Sequence, residues 1–285
     1  MYPTPLWTDH WNSIVAKFIA RPRLLIACDF DGTLSPIVDD PADAVLPNEA
    51  RGILRKLRAM PGVTVAVISG RAVCDLRARV GIDGVLYAGN HGLEIDSPGI
   101  LWTSAEAREH RPELALALVE LRREIGAVPG VIIEDKQLTG TVHWRQVDPD
   151  LRPELHLKVE EIVSRQPGLR LMEGKAIWEV RPRTEWNKGS ALQTFLGRLH
   201  LSSADAVYLG DDDTDEAGFE ALPDGLSLRV GDTDETAARY RLPDQQAAIA
   251  FLFCLLSARI AGRRNPLAAY ERSRSSNHER DSKLS

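Results

Sequence analysis

The sequence predicts an α/β fold in which a doubly wound parallel sheet forms the core and carries an inserted α+β cap domain. Short apolar runs at Leu24–Cys28, Val63–Ile68 and Ala206–Leu209 are typical of buried parallel strands. Segments with helical periodicity separate these runs, as βαβ units require. From about Ser104 to Thr184 the pattern changes to helix, two strands, helix and two strands, which indicates a separate α+β unit. A chain of 285 residues, 44% of them hydrophobic, is long enough for two such domains.

In the predicted core, strands and helices alternate along the chain. Residues 1–103 and 185–262 form the core and residues 104–184 form the cap, while residues 263–285 are polar and are predicted to be disordered. The first half of the core sheet contains strand Leu24–Cys28, helix Glu49–Met60, strand Val63–Ile68, helix Ala72–Val80 and strand Val85–Ala88. The remaining core elements are a strand at Gly89–Ile95, a returning strand at Ile100–Trp102, strands Ala206–Leu209 and Leu226–Val230, and a C-terminal helix at Ala247–Leu256.

Acidic residues follow two of the predicted core strands. Asp29 and Asp31 come directly after the first strand, and Gly32 lets the backbone turn there. The segment Gly210–Glu216, which includes Asp211, places five carboxylates within six residues after another strand. Carboxylates this close repel one another, and hard oxygen ligands at strand ends suit Mg²⁺. The alternatives are an Asp-rich turn and an acidic surface loop, since Asp and Gly are common turn residues.

Two further polar segments occur at the ends of core elements. Ser69-Gly70-Arg71 follows the second strand, where a hydroxyl and backbone N–H groups could meet a phosphate. The same serine is also a suitable N-cap for the next helix, and the two interpretations are compatible. Lys188 lies in the first turn of a helix predicted through Leu199, where a cation opposes the helix dipole. A nearby anion is therefore the better explanation for this lysine.

In chain order, these four sites resemble the four motifs of the haloacid dehalogenase superfamily of phosphohydrolases. The resemblance implies a core of that type, in which Asp29 attacks phosphorus and forms an aspartyl-phosphate while Asp31 is the general acid and base. Lys188 would neutralise the nucleophile and the phosphoryl group, as covalent phosphoryl transfer requires. Binding of the phosphate oxygens would fall to Thr33, Ser69, Gly70 and Arg71. The implied Mg²⁺ ligands are the Asp29 carboxylate, the Asp31 main-chain carbonyl and Asp211.

Charged and apolar residues alternate along the predicted cap strands. One face carries Glu134, Lys136, Thr141, His143, Arg145, Lys175, Glu179 and Arg181. The opposite face is apolar and suits packing on the cap helices; it carries Ile133, Val142, Trp144, Ala176, Trp178 and Val180. A polar face that points to water is the alternative, because antiparallel sheets are commonly solvated on one side. The mixed charges also match a sugar phosphate, since carboxylates accept hydroxyl hydrogens and cations meet phosphate.

Several segments look like successive motifs of the trehalose-6-phosphate phosphatases. They are Gly89–Gly92, Glu134–Lys136, His143–Arg145, Glu173–Lys175 with Glu179–Pro182, and Gly210–Glu216. The resemblance implies Mg²⁺-dependent hydrolysis of trehalose 6-phosphate, with a functional link to a separate trehalose-6-phosphate synthase. It assigns substrate binding to Asn90, His91, Glu134, Lys136, Arg145, Lys175 and Glu179. The family often has Tyr where this chain has Trp144, a conservative change on the apolar face.

Two other functions stay open at this point. A related sugar-phosphate phosphatase would act on sucrose 6-phosphate or mannosyl-3-phosphoglycerate. A non-catalytic phosphosugar-binding module is expected to lack at least one catalytic group. All the catalytic positions are filled, by Asp29, Asp31, Ser69, Lys188 and Asp211, which favours an enzyme.

Composition and charge exclude other classes. A net charge of −6 and a pI of about 5.7 give no electrostatic footprint for nucleic acid. The three cysteines are too few and scattered for a disulfide framework or a zinc site, and reduced thiols fit a cytoplasmic protein. Strand alternation points Cys28 away from the face of Asp29 and into the core. No secretory signal pattern is visible, and the longest apolar run is too short to cross a bilayer.

Overall fold

A computed structural model describes residues 4–18, 21–233 and 235–261, and within them it contains an eight-stranded and a four-stranded sheet. The strands are β1 Leu24–Cys28, β2 Val63–Ile68, β3 Leu86–Gly89, β4 Glu94–Ser97, β5 Ile100–Thr103, β6 Ile132–Asp135, β7 Gly140–His143, β8 Leu169–Gly174, β9 Ile177–Pro182, β10 Ala206–Gly210, β11 Leu226–Val230 and β12 Tyr240–Leu242. The α-helices are α1 Trp11–Phe18, α2 Asn48–Ala59, α3 Val73–Val80, α4 Ala105–Glu109, α5 Arg111–Ile125, α6 Arg152–Ser164, α7 Lys188–Leu199, α8 Glu216–Glu220 and α9 Gln245–Ala261. These elements confirm the predicted α/β fold class.

The strand order of the larger sheet brings the acidic segments together. The order is β12-β11-β10-β1-β2-β3-β4-β5, in which the first six strands are parallel and β4 is antiparallel to both of its neighbours, β3 and β5. Strand β1 lies between β10 and β2, and the chain order reverses around it. The residues that follow these three strands therefore meet at one edge of the sheet, where ligands of open α/β sheets bind.

Strand β1 is buried on both faces because every residue in it is apolar. Leu24, Ile26 and Cys28 belong to a core cluster that includes residues of α2 and α9. Leu25 and Ala27 belong to a second cluster on the other side of the sheet, with residues of α7. Helices thus cover both faces of the sheet, and Cys28 packs in the core as strand alternation predicts.

The smaller sheet is antiparallel, with strand order β6-β7-β9-β8. On one face Val142, Trp178 and Val180 pack with the apolar residues of α5 and α6. The prediction of an apolar face is wrong at Ala176. This residue lies in the turn between β8 and β9 with a φ of +63°, and it lines the cavity between the two sheets.

Several local predictions differ from the structure. Helix α1 and strand β12 were not predicted, because eight and three residues give too short a periodic signal. The segment Gly89–Ile95, predicted as a strand, starts with a 3₁₀ turn at Asn90–Gly92, in which the first two residues have φ values of +49° and +57°. The predicted disordered tail, residues 263–285, lies outside the described residues. No helix among the described residues is long and apolar enough to cross a membrane.

Candidate active site

A cavity of about 170 Å³ lies between the carboxyl-terminal edge of the large sheet and the polar face of the small sheet. Of the residues predicted to form the site, those that line it are Asp29, Asp31, Ser69, Gly70, Arg71, His91, Glu134, Lys136, Arg145, Lys175, Glu179, Lys188 and Asp211. Two predicted residues, Thr33 and Asn90, are buried and do not line the cavity. The residues from the core form its floor and those from the small sheet form its roof.

A buried lysine lies between two carboxylates in the floor of the cavity. Lys188 Nζ is 2.8 Å from Asp29 Oδ1 and 2.8 Å from Asp215 Oδ1. Burial alone would lower the pKa of Lys188, but the carboxylates of Asp215 and Asp29 outweigh it and raise that pKa. The lysine is therefore charged at neutral pH. Its position is fixed by Asn187, whose side chain caps the first turn of α7.

Asp29 carries the candidate nucleophilic oxygen, and its pKa is strongly shifted by its surroundings. It is 4% exposed, and burial raises its pKa well above the usual value. Lys188 opposes that shift, whereas the nearby carboxylates of Asp215 and Asp211 add to it. A carboxylate in these surroundings is stabilised by added positive charge, which a cation or closer contact with Lys188 supplies.

Three buried carboxylates can hold a metal ion. Asp29, Asp211 and Asp215 each offer an oxygen atom, and these atoms lie within 4.8 Å of one another. Burial raises the pKa of Asp211, and Lys175 from the small sheet opposes this shift with its Nζ 2.6 Å from Asp211 Oδ2. The Lys175 ammonium group beside Asp211 shows that the space next to this carboxylate favours a cation. A cluster of hard oxygen donors at strand ends fits Mg²⁺.

The close approach of the two acidic segments depends on Gly32. This residue has a φ of +81°, and a Cβ atom on it would lie 2.2 Å from Asp211 Oδ2. Any side chain at this position would therefore be strained and would displace the Asp211 carboxylate. The turn after β1 explains why the Asp29 and Asp211 carboxylates share one small volume.

Sequence reasoning did not assign a role to Asp215. Its Oδ1 accepts from Lys188 and from the Tyr208 hydroxyl, and its Oδ2 accepts from the backbone N–H groups of Asp211 and Asp212 at 3.1 and 3.0 Å. Four donors make Asp215 a fixed support for both the lysine and the Asp211 segment. The three-residue spacing of Asp212 and Asp215, a capping box at the start of a 3₁₀ turn, is the sequence signal that points to it.

The second aspartate of the first motif is paired with an arginine. Arg71 Nε and an Nη atom donate to the two carboxylate oxygens of Asp31 at 2.8 and 2.7 Å, and the other Nη donates to Asp75. Although burial opposes it, these hydrogen bonds raise the pKa of Arg71, so this residue remains charged. Its predicted role in phosphate binding stays a prediction, because its guanidinium is engaged by carboxylates here. The Thr33 hydroxyl similarly lies 3.5 Å from Asp211 Oδ1.

In the roof of the cavity, Glu179 is the centre of a buried ionic cluster. It is 4% exposed and accepts from Lys136 Nζ at 3.1 Å and from Arg181 Nε at 2.9 Å. Burial alone would raise its pKa, but His91, Arg181 and Lys136 hold the pKa well below the usual range. Glu179 is therefore ionised. Arg181 was placed on this face by the sequence but was not predicted to belong to the site.

His91 joins the floor to this cluster. Its Nε2 lies 3.0 Å from Glu179 Oε1 and 2.7 Å from the Arg181 guanidinium. Burial, together with the charge of Arg181, lowers the pKa of His91 to about 3, so the ring is neutral. Nε2 faces a carboxylate, which can only accept, and a guanidinium, which can only donate, so the tautomer of the ring decides which of the two it bonds. Nδ1 has no hydrogen-bond partner among the residues that the structure describes.

Glu134 and Arg145 lie closer to the mouth of the cavity. Glu134 Oε2 is 3.1 Å from His143 Nε2, and this contact outweighs burial and lowers the pKa of Glu134. Arg145 forms an ion pair of 3.6 Å with Asp39 of the core. Both residues are only partly covered, so their polar atoms remain accessible to a ligand.

The fold of the chain is that of the haloacid dehalogenase-like hydrolases, with the acidic floor at the strand ends. A solved haloacid dehalogenase-like hydrolase from Bacteroides thetaiotaomicron shares the fold, with a TM-score of 0.59 and 15% identity over 81% of this chain and 98% of that chain. The trehalose-phosphatase family profile matches residues 27–246. The chain therefore belongs to the trehalose-phosphatase family.

Individual relatives agree with this assignment. A trehalose-phosphate phosphatase of Mycobacterium tuberculosis is 40% identical over 231 residues, which cover 78% of this chain and 58% of that protein. The chain thus spans little more than half the length of this relative. The solved C-terminal domain of the Candida albicans trehalose-6-phosphate phosphatase has a TM-score of 0.76 and 25% identity, and the match covers 90% of this chain and 98% of that domain.

Proposed function

We propose that this chain hydrolyses trehalose 6-phosphate to trehalose and inorganic phosphate. One observation carries the proposal: the buried Asp29–Lys188 pair, 2.8 Å apart, faces a roof of charged side chains across the cavity. The floor supplies a nucleophile beside fixed positive charge, and the roof supplies groups that can recognise a sugar. Membership of the trehalose-phosphatase family supports the same substrate.

In the proposed reaction, Asp29 Oδ attacks the phosphorus atom while the bond from phosphorus to the 6-oxygen of the sugar breaks. The product of this step is an aspartyl-phosphate, and Lys188 balances the charge on the transferring group. Asp31 donates a proton to the departing oxygen and then removes one from the water that hydrolyses the intermediate. For this role Asp31 must leave its pair with Arg71, and an incoming phosphate supplies an alternative anion for the guanidinium.

The residues present fit a divalent cation. Asp29 and Asp211, two of the three clustered carboxylates, would hold Mg²⁺ at the meeting point of the two acidic segments. The main-chain carbonyl of Asp31 is the third ligand that the family resemblance implies. When bound, the ion would offset the negative charge of the phosphate and of the surrounding carboxylates. With a cation at this place, Lys175 is free to turn from Asp211 to the substrate.

The roof is proposed to recognise the disaccharide. Glu134 has an accessible carboxylate that can accept from sugar hydroxyls, and His91 Nδ1 is a ring nitrogen without a hydrogen-bond partner among the described residues. Glu179 contacts His91 and pairs with Lys136, and Arg145 pairs with Asp39 of the core, so all three contribute charge around the cavity. Recognition by groups of this kind discriminates strongly, because a wrong substrate leaves buried polar atoms unpaired.

The proposal also includes the source of the substrate and the compartment in which the enzyme works. The substrate is a phosphorylated disaccharide, so a trehalose-6-phosphate synthase is the expected source. Cys28, Cys74 and Cys254 are free thiols, which fits a reducing compartment such as the cytoplasm.

Phosphate release by the purified chain tests the proposal. The substrates are trehalose 6-phosphate, sucrose 6-phosphate, mannosyl-3-phosphoglycerate and glucose 6-phosphate, each with Mg²⁺ and with excess chelator. We expect a kcat/KM for trehalose 6-phosphate at least tenfold above the others and no turnover in chelator. If the enzyme prefers another sugar phosphate, that compound replaces trehalose 6-phosphate as the assigned substrate. Binding of a sugar phosphate without turnover would indicate a sensor.

A further inference from the structure

Asn90 is enclosed by the protein rather than exposed to the cavity. Its side chain is 0% exposed, although the neighbouring His91 lines the cavity. Asn90 Nδ2 donates to Glu94 Oε1 at 2.6 Å and to the Lys136 carbonyl at 3.1 Å, and Oδ1 accepts from Thr139 Oγ1 at 2.6 Å. Both amide hydrogens are therefore used, and no donor remains for a ligand.

The partners of Asn90 belong to two different parts of the fold. Asn90 follows β3 of the large sheet, whereas Lys136 and Thr139 form the turn between β6 and β7 of the small sheet. The Lys136 N–H closes that turn by donating to the Thr139 carbonyl at 2.9 Å. Leu138 in the same turn packs with Leu93 of the core. The turn is thus docked on the core by side-chain hydrogen bonds and by an apolar contact.

On the core side, Asn90 is tied to the segment behind the phosphate site. Its N–H donates to the Arg71 carbonyl at 2.7 Å. Glu94 Oε1, which accepts from Asn90, also accepts from the N–H of Val73 at the start of α3 at 2.8 Å. A continuous set of hydrogen bonds therefore runs from the predicted phosphate-binding segment, through Asn90, to the turn that carries Lys136.

We propose that Asn90 is a positioning residue, which acts together with Thr139 to hold Lys136 in place. The Lys136 main chain is held by Asn90, and its Nζ reaches Glu179 at 3.1 Å in the roof of the cavity. This role replaces direct substrate contact by Asn90. Its effect on turnover rests on the proposed function, whereas the docking of the turn does not.

Three variants on one hairpin separate the hydroxyl from the shape of the side chain. Thr139→Val removes the hydroxyl and keeps the shape, whereas Thr139→Ser keeps the hydroxyl. Thr141→Val is the matched control, since Thr141 is buried in β7 and its hydroxyl has no hydrogen-bond partner in the described part of the chain. We expect Thr139→Val to lower kcat/KM for trehalose 6-phosphate about 3–10-fold. The other two variants should stay close to the wild type, and none should change hydrolysis of a small aryl phosphate.

A double-variant cycle tests whether the two residues act as a pair. Asn90→Gly removes the amide, and glycine accepts the φ of +49° without strain. Once the amide is gone, the Thr139 hydroxyl has lost its acceptor. The double variant Asn90→Gly with Thr139→Val should therefore be no more impaired than Asn90→Gly alone. Multiplicative losses would overturn the pairing.

Hydrogen exchange without substrate distinguishes this inference from the proposed function. The amides of Lys136 and Leu138, which are hydrogen-bonded within the turn, should exchange faster in Thr139→Val than in Thr141→Val. Unchanged exchange would overturn the docking role whatever the activity. If the wild type fails to hydrolyse trehalose 6-phosphate but exchange rises as expected, only the proposed function fails. Should Thr139→Val not fold, Asn90→Gly must show the same rise.

Discussion

Tyr208 donates its hydroxyl hydrogen to Asp215 Oδ1 at 2.5 Å, on the same oxygen that accepts from Lys188. Tyr208 lies on β10 directly beneath the acidic floor and is fully buried. Two glycines make room for the pair, because a Cβ atom on Gly210 would lie 2.2 Å from Asp215 Cγ and one on Gly218 would lie 2.3 Å from the Tyr208 ring. The tyrosine therefore acts on the nucleophile through two intermediates, the carboxylate and the lysine.

Tyr208→Phe should lower kcat about 5–10-fold with little change in KM, since a hydrogen bond to a charged group contributes about 1.5–3 kcal/mol and part of it is lost here. Without the hydroxyl, Asp215 draws Lys188 away from Asp29. Steady-state kinetics and thermal unfolding check this. Tyr87→Phe is the control, since Tyr87 is also buried but donates to the Ile82 carbonyl, away from the site. It should lose stability but not kcat.

Asp29→Asn should abolish turnover while the fold stays intact, because an amide has nearly the same shape but cannot attack phosphorus. Asp31→Asn should retain a trace of activity, since general acid–base catalysis typically contributes about 10²–10⁴-fold. Trapping with beryllium fluoride, followed by mass spectrometry or crystallography, identifies the nucleophile. An adduct on a residue other than Asp29 would contradict the assignment.

Replacing Asp211 by Asn should weaken Mg²⁺ binding at least tenfold, because it removes one of the charged oxygen ligands. Titration calorimetry with Mg²⁺ measures this in the absence of substrate. Asp213→Asn is the matched control from the same acidic segment. The Asp213 side chain is 93% exposed and pairs with Arg229, so its loss should leave the affinity unchanged. Equal weakening in both variants would mean that only the overall charge of the segment matters.

His91 should make the protein less stable in acid. Its pKa is lowered from 6.5 to about 3 in the folded state, so below pH 6.5 the unfolded chain binds a proton that the folded chain does not. Stability should therefore fall as the pH decreases from about 6.5 towards 3, by up to about 1.4 kcal/mol per pH unit from this group. His91→Asn tolerates the left-handed backbone and removes the group. Urea unfolding at several pH values should show a shallower decline in the variant, and parallel curves would contradict the argument.

The grouping of Asp29 and Asp211 was predictable from the sequence, because the carboxyl ends of neighbouring parallel strands meet at one edge of the sheet. That Lys188 has an anion for a partner was predictable from its place in the first turn of a helix, where a lone cation is unfavourable. The alternation in β9 likewise predicted that Glu179 and Arg181 share a face. Such arguments need only the period of an element and its position in the sheet. They also predicted the fold class, which the structure and the relatives confirm.

The contacts of Asn90 and Asp215 were not predictable in this way. Asn90 and His91 lie in a turn with positive φ, where side-chain direction follows no strand or helix period. The donors to Asp215 come from β10, α7 and the turn after β10, so they depend on how three elements pack. Ala176 was misplaced for a related reason, since the predicted alternation started at Lys175, whereas residues 175–176 form a turn and β9 starts only at Ile177.

Glu134 and Glu179 should separate recognition of the substrate from support of the roof. Glu134 has one described partner, His143, and its side chain is 37% exposed. Glu179 is buried and neutralises Lys136 and Arg181. Glu134→Gln should thus lower kcat/KM for trehalose 6-phosphate by about 10–150-fold, the effect of one charged hydrogen bond, without changing thermal stability. Glu179→Gln should cause a similar or larger loss and also lower the melting temperature, because it leaves two buried cations poorly compensated.

Hydrolysis of a small aryl phosphate, which does not reach the roof, provides the comparison for both variants. If the glutamates act on the sugar, this rate should stay near that of the wild type in Glu134→Gln, since Asp29 and Lys188 are untouched. A moderate decrease in Glu179→Gln would follow from loosening of His91, which contacts Glu179 and lines the cavity. Equal losses on both substrates in Glu134→Gln would mean that this residue supports the catalytic floor. Recognition of the disaccharide by the roof would then have to be abandoned.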